Sequence, residues 1–307
     1  MPSYLEALTL RLAHGVAALP EGFRQRQIEF LDRSHRSDGG FGGRMGGSDL
    51  YYTGFACRSM SLLGHLYGPP AERVEAFLKT KLGGQESIVD ALSLVYSGQL
   101  LAMSAGIDLY KSAQPNWRQA TAELLESLRR EDGGYAKGPE GTASSTYHTF
   151  LVLLCLELLE IPPRDPTRIV EFVRSQADPE GGFHEIKASK RAGVNPTAAA
   201  IGALQILGAL TPDLAEPTID YLLEMQTDEG GFRANTRIPI ADLLSTFTTL
   251  LTLQDLGGAS AVDTRAVQSF ALSLAHDEGG FSGAHWDTGS DVEYSFYGLG
   301  CLALLAT

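Results

Sequence analysis

The sequence predicts an all-α fold, an (α/α)6 toroid of six helical-hairpin repeats, on three observations. The first is an internal repeat. An acidic residue, two glycines and an aromatic recur as Asp38-Gly39-Gly40-Phe41, Asp132-Gly133-Gly134-Tyr135, Glu180-Gly181-Gly182-Phe183, Glu229-Gly230-Gly231-Phe232 and Glu278-Gly279-Gly280-Phe281. Successive aromatics lie 94, 48, 49 and 49 residues apart, and a worn copy, Gly83-Gly84-Gln85, falls inside the double gap. A period of this length marks a repeat architecture. The second observation is that apolar stretches alternate with charged, amphipathic ones. The third is that the last apolar stretch runs almost to Thr307. It needs cover, which closure against the first repeat would supply, whereas an open array needs polar end repeats. Strand signals are absent.

In chain order, a helix near residues 3–17 stands outside the repeat. The amphipathic, outer set is read at Phe23 to Arg33, Ala71 to Lys81, Trp117 to Arg130, Arg168 to Gln176, Ile219 to Gln226 and Arg265 to Ala275. In the stretch 117–130, Ala120, Leu124, Leu125 and Leu128 share one face, and Glu123, Glu126, Arg129 and Arg130 cover the other. The inner set includes Phe150 to Leu156, Ala198 to Leu210, Phe247 to Leu253 and Tyr297 to Leu305. Helices apolar nearly all round are normally buried. Each inner helix is expected to open about ten residues after its tag, on Asp49, Asp90, Ser145, Asn195, Asp242 or Asp291, all preferred N-cap types. Pro196 suits a first helical position. The Gly-Gly pairs are expected to end the outer helices in the left-handed conformation, with each aromatic plugging the gap between units. One array uses the whole sequence, so a single domain spanning 1–307 is expected.

Composition narrows the function. There are 37 acidic and 24 basic residues, net −13, which argues against a nucleic-acid partner. Residues 1–20 carry Glu6, Arg11 and His14 and lack the apolar core of a signal peptide. The apolar run Phe150 to Leu156 ends at Glu157, too short to span a bilayer. Cys57, Cys155 and Cys301 are odd in number and widely spaced, without the pattern of a disulfide framework. A cytoplasmic protein that does not span a membrane is expected.

The tag, the ten-residue loop and the helix opening Ser290-Asp291-Val292-Glu293-Tyr294-Ser295-Phe296-Tyr297-Gly298 resemble the repeat of protein prenyltransferase β subunits, of the farnesyl and geranylgeranyl types. The likeness covers roughly residues 20–307 and extends more distantly to squalene-hopene-type terpenoid cyclases. It implies a toroid whose apolar central funnel holds an isoprenoid chain, with the diphosphate near the tag-loop rim. A zinc ion that activates the acceptor thiol and a separate helical α-type subunit are implied as well; a homodimer is the alternative assembly.

The implied zinc ligands are an Asp opening the fifth unit, a Cys two residues later and a His three residues into the sixth. Here these positions hold Asp242, Leu244 and Tyr294. Leucine is no ligand, and a catalytic zinc site wants about three protein ligands. Only Asp242 is retained, no metal site is expected, and thiol prenylation is in doubt. His148, within Tyr147-His148-Thr149, echoes the family's sixth unit but lies in the third, as a candidate catalytic group or a hydrogen-bonded wall residue. Asp242, Asp291 and His148 are thus the catalytic candidates.

Basic residues cluster in two loops. The first holds His184, Lys187, Lys190 and Arg191, and the next holds Arg233 and Arg237. Such a cluster can form an anion trap for a diphosphate, with Arg clamping phosphate oxygens bidentately; solvated surface charge is the alternative. The funnel wall is drawn from Tyr51, Tyr52, Tyr147, His148, Phe247, Tyr294, Phe296 and Tyr297, or these are packing residues. Arg58, mid-helix, needs a carboxylate partner if buried, or snorkels to an end. Three functions stay open: prenyl transfer from an isoprenoid diphosphate of the farnesyl or geranylgeranyl class, without the family's zinc or with a relocated metal; terpenoid cyclisation; and non-catalytic binding of an isoprenoid, lipid or peptide. Against cyclisation stand the absence of an Asp-x-Asp-Asp run and the lack of room for a second helical domain; Asp287, Asp291 and Glu293 are the nearest acidic group.

Overall fold

A computed structural model describes residues 2–84, 87–111 and 113–306. Within them run α1 (Tyr4–Ala17), α2 (Glu21–Ser34), α3 (Leu50–Leu62), α4 (Gly68–Lys79), α5 (Ile88–Ala105), α6 (Trp117–Glu126) and α7 (Thr146–Leu158). They continue as α8 (Pro166–Ser175), α9 (Val194–Ile206), α10 (Pro212–Leu223), α11 (Leu243–Leu256), α12 (Thr264–Ser273) and α13 (Val292–Leu305). The expected N-terminal helix is α1, closed by a capping box between Ser3 and Glu6.

The chain divides into two compact units, Met1–Trp117 with Ala271–Thr307, and Arg118–Phe270. In the first, α3 packs between α5 and α13, and α1 lies on α13 and α3. The apolar C-terminal helix is therefore covered by the first elements of the chain. Gly15 of α1 sits so close to the backbone of Ala303 that any Cβ would collide with it. In the second unit α9 packs between α7 and α11, with α8 against α9 and α10 against α11. Helix α5 is long and apolar enough, by length and composition, to cross a membrane, but 61% of it is buried in the fold.

The tags build every repeat boundary the same way. Each folds into a turn closed by a backbone bond, such as Asp178 N–H donating to Gly182 C=O at 2.7 Å. The aromatic is fully or almost fully buried in all five copies, and a hydroxyl one turn into the following inner helix accepts its N–H. The pairs are Phe41–Thr53 (3.0 Å), Tyr135–Thr149 (3.0 Å), Phe183–Thr197 (2.9 Å), Phe232–Thr246 (3.0 Å) and Phe281–Ser295 (3.3 Å). Four of these hydroxyls donate in turn to the carbonyl four residues back, at the helix cap. The first glycine faces the backbone of the next outer helix: Gly39 meets Arg73 of α4, Gly133 meets Arg168 of α8, Gly181 meets Pro217 of α10, Gly230 meets Ala266 of α12 and Gly279 meets Arg26 of α2.

Several expectations are corrected. The Gly-Gly pairs do not end the outer helices: α8 stops at Ser175 and α10 at Leu223, each on a right-handed cap, several residues before the tag. The glycines instead allow close approach of the next helix. Asp49, Ser145, Asp242 and Asp291 are N-caps as expected. Helix α5 is capped by Ser87, with Asp90 on its first turn, and α9 starts from Gly193, placing Asn195 and Pro196 inside the first turn. Helix α10 begins at Pro212, well before Ile219, and carries Pro217 in its interior although proline lacks the helical N–H. A short antiparallel pair, β1 (Tyr135–Ala136) with β2 (Ser144–Ser145), closes one tag loop where no strand was expected. A Cβ added at Gly83 or Gly84 would meet no atom of the described residues within 4 Å, and Gln85 lies outside the described residues.

Thr197→Val leaves the buried Phe183 N–H without its acceptor, and a loss of about 1–3 kcal/mol is expected in urea unfolding. Gly181→Ala, at φ +99° and against the Pro217 carbonyl, should cost at least as much, while Gly208→Ala, at positive φ in open space, should cost less.

Candidate functional site

In the first unit, the loops that follow the first and last tags meet through Arg44. Its guanidinium donates to both carboxylate oxygens of Asp287 at 2.6 Å, to the Gly289 carbonyl at 2.8 Å, and lies 3.2 Å from Asp291. Bidentate hydrogen bonding by Arg44 holds the Asp287 carboxyl well below the usual carboxylate range. Asp291 is buried, caps α13 by accepting from Tyr294 N–H, and has its carboxyl raised by desolvation despite that bond and Arg44. Two residues on, Glu293 accepts from the Tyr51 hydroxyl at 2.6 Å, and burial raises its carboxyl as well.

Around these carboxyls lies a continuous aromatic cluster. Tyr51 contacts Tyr52 and Phe55 edge-on at 5.2 and 5.0 Å between centroids. Phe55 meets Phe296 and Tyr297 at 5.6 and 5.3 Å, and Tyr294 meets Tyr297 at 6.5 Å. Five of the expected wall residues, Tyr51, Tyr52, Tyr294, Phe296 and Tyr297, therefore share one unit. Arg58 is half-buried and has no carboxylate within ion-pair distance among the described residues. Its guanidinium lies 4.7, 5.2 and 5.8 Å from the ring centroids of Phe55, Tyr96 and Phe296, where ring faces supply part of the negative field a carboxylate would give. Its buried Nε has no hydrogen-bond partner among the described residues.

In the second unit, Tyr147 and His148 touch at 5.4 Å, Tyr147 is 39% exposed, and Phe247 is buried. The Ser145 hydroxyl, which caps α7, contacts His148 Nδ1 at 2.8 Å and donates to Glu185. A cleft of about 1020 Å³ opens beside this group, lined by Lys190, Arg191, Arg237, Glu185, Asn195 and Tyr221 among others. Three of the five expected diphosphate-binding cations thus share a cleft. Lys187 is exposed and outside its lining. Arg233 also lies outside it and turns back to donate to the Glu224 carbonyl at 3.4 Å. His184 Nε2 lies 2.9 Å from the Asp178 carboxylate, which takes this side chain away from the cleft cations. Arg191 donates to Thr236, bridging the two basic loops.

The residues at the implied zinc positions do not fit the metal. Both carboxylate oxygens of Asp242 are occupied by Ser245, through its N–H at 2.7 Å and its hydroxyl at 2.8 Å. Leu244 has no donor atom. No group of three or more His, Cys, Asp or Glu side chains suited to a metal occurs among the described residues. The sequence reading missed Arg44, and it missed Glu185 because the contact with Ser145 spans 40 residues. Only the small polar opener at Ser145 and the basic loop hinted at that pairing.

Comparison with known proteins agrees with this architecture. Residues 3–209 and 194–307 match the prenyltransferase alpha-alpha toroid domain, and the chain belongs to that family. The expected all-α toroid class therefore stands. The geranylgeranyl transferase type-1 subunit beta of Arabidopsis thaliana is 25% identical over 191 residues, 58% of this chain and 50% of that protein; the match thus spans half the length of this relative. The structure of Candida albicans protein geranylgeranyltransferase-I complexed with GGPP superposes with a TM-score of 0.75 at 16% identity, covering 92% of this chain and 90% of that one. A variant of the type II terpene cyclase MstE from Scytonema, in complex with geranylgeranyl dihydroxybenzoate, gives 0.63 at 13% identity, covering 98% of both chains. That near-complete overlap corrects the argument from length against a cyclase, since a cyclase chain of this extent exists.

Raised carboxyl affinities have a defined sign. Glu293 prefers its proton in the folded state, so its favourable contribution is complete below the ordinary glutamate pKa and is lost as pH rises through the folded value. Glu293→Gln, which can still accept from Tyr51, should therefore raise the urea midpoint at pH 8, with the gain shrinking toward pH 4. Asp287 is depressed, so its contribution is present at neutral pH and fades in acid; Asp287→Asn should lower the midpoint at pH 7 and converge on the parent toward pH 2.

Proposed function

We propose that this protein binds an isoprenoid diphosphate and transfers its prenyl group to an acceptor without zinc. The supporting observation is the convergence of Lys190, Arg191 and Arg237 on one cleft, none with a carboxylate ion-pair partner among the described residues, in a chain of net charge −13. Unneutralised cations in an acidic protein create a local field for an anion, and arginine matches phosphate oxygens geometrically. As the bond from the prenyl carbon to oxygen lengthens, negative charge collects on the leaving diphosphate, and cations already in position stabilise it without reorganisation. The family membership, and the relatives named for geranylgeranyl transfer, support the isoprenoid class of substrate.

Calorimetric titration with geranylgeranyl and farnesyl diphosphate tests this reading. Micromolar or tighter binding is expected, weakened about tenfold or more by Arg191→Ala with Arg237→Ala, equivalent to about 1.4 kcal/mol. Absence of heat with both diphosphates would refute it.

One observation favours cyclisation as a second reading. Glu293, kept toward its protonated form by burial and held by Tyr51, stands beside the aromatic cluster of the first unit. A proton donor next to aromatic faces suits protonation of an alkene and stabilisation of the resulting cation. Cyclic products formed without an acceptor, and lost in Glu293→Gln, would select this reading over transfer.

A further inference from the structure

The mechanism of transfer without a metal leaves one task unassigned: removal of the proton from the acceptor. We infer that His148 is the general base for this step, with Ser145 and Glu185 as positioning residues that present its Nε2 lone pair. This rests on the transfer reading above and deepens it.

The geometry follows from counting donors and acceptors at one oxygen. The Ser145 hydroxyl has one proton and two lone pairs. It accepts the His148 backbone N–H at 3.1 Å and donates to Glu185. Its remaining contact is His148 Nδ1 at 2.8 Å. Burial raises the Glu185 carboxyl, with the Ser145 and Tyr147 hydrogen bonds opposing the rise. At a pH above its folded value the carboxylate takes the hydroxyl proton, and only Nδ1–H can then satisfy the second lone pair. The ring is therefore the Nδ1–H tautomer, and Nε2 carries a lone pair with no partner among the described residues. This is the logic of a carboxylate that orients an imidazole, relayed here through a serine.

The arrangement is anchored from both sides. Thr146 N–H donates to the Glu185 carbonyl at 2.9 Å, and the Thr146 hydroxyl donates to the His184 carbonyl at 2.6 Å. These bonds tie the start of α7 to the loop carrying Lys190 and Arg191. Glu185 itself lines the basic cleft, so the base and the diphosphate cations belong to one side of the second unit. Burial, with a smaller effect from Lys137, lowers the His148 pKa, which keeps the imidazole neutral and able to accept a proton.

The step balances as follows. A lone pair on the acceptor oxygen or sulfur forms a bond to the prenyl carbon. The bond from that carbon to the diphosphate oxygen breaks, and its electron pair leaves with the diphosphate. The proton of the acceptor hydroxyl or thiol passes to His148 Nε2. The resulting imidazolium is stabilised through Nδ1–H, the Ser145 hydroxyl and the Glu185 carboxylate, and later loses its proton to solvent. The acceptor class is thus a nucleophile whose attacking atom carries an exchangeable proton.

Long-range proton–nitrogen spectra of the labelled full chain, assigned with His148→Gln, test the relay without any substrate. The Nδ1–H tautomer is expected in the parent and a mixture in Glu185→Gln; an Nε2–H tautomer in the parent overturns the inference. Single-turnover diphosphate release from geranylgeranyl diphosphate, with phenol in one arm and dithiothreitol in the other, tests the chemistry. His148→Gly should retain diphosphate binding yet release it about a hundredfold more slowly, with added imidazole restoring part of the rate. Equal release by parent and variant overturns the inference, as does binding without release by the parent in both arms. Failure of the parent to bind the diphosphate would instead remove the transfer reading, while the tautomer result would still decide the relay.

Discussion

The backbone N–H of each tag aromatic lies where water does not reach, and a hydroxyl from the next inner helix is its acceptor in all five tags. The rest of each repeat depends on this bond. An unsatisfied buried N–H costs far more than an ordinary hydrogen bond contributes, so the pairing sets where the inner helix begins relative to the turn. In four of the five the same hydroxyl then donates to the helix-cap carbonyl, as Thr197 does to Gly193 at 2.7 Å. One side chain thereby joins the tag, the cap and the first helical turn. The glycines complete the joint by letting the next outer helix approach to backbone contact.

Once each inner helix starts at a defined point, its first-turn side chains are delivered to defined places, and the chemistry described here occupies those turns and the loops facing them. Tyr51, His148 and Glu293 lie within three residues of their caps, as do Asn195 and Tyr294. A repeat fold can thus change its function by changing these positions and the loops facing them, leaving the clasp alone. Leu244 and Tyr294 illustrate this, standing at positions where the family resemblance implies metal ligands. The cap at Asp242 persists because the helix needs it, and Ser245 takes up both of its oxygens.

The two units treat charge differently. In the first, Arg44 is engaged by Asp287 and Asp291, while Asp291 and Glu293 are pushed toward protonation by burial. That arrangement is self-neutralising and holds two loops together. In the second, Lys190, Arg191 and Arg237 line an open cleft without carboxylate ion pairs among the described residues, although Asp178, Glu180 and Glu185 also border it. Glu185 is committed to Ser145, which limits how far it offsets the cations. The contrast explains why the basic loops, rather than the acidic group, carry the proposal for binding a diphosphate.

The sequence by itself determined the repeat, its period, the alternation of buried and amphipathic helices, and four of the six inner-helix caps. Each depends on local chemistry: a Gly-Gly pair, a capping oxygen, a 3.6-residue periodicity. It also identified most of the aromatic cluster, because first-turn positions follow from the caps. Tertiary structure alone decided what the glycines are for, since their purpose is an approach by a helix distant in sequence, as Gly279 meets Arg26 near the other end of the chain. It alone paired Ser145 with Glu185 and Arg44 with Asp287, contacts separated by 40 and 243 residues. It also divided the basic loops, sending Lys190, Arg191 and Arg237 to the cleft and Arg233 back to a carbonyl. Local pattern reports what a residue does to its own segment, whereas a site is made by which distant segments packing brings to it.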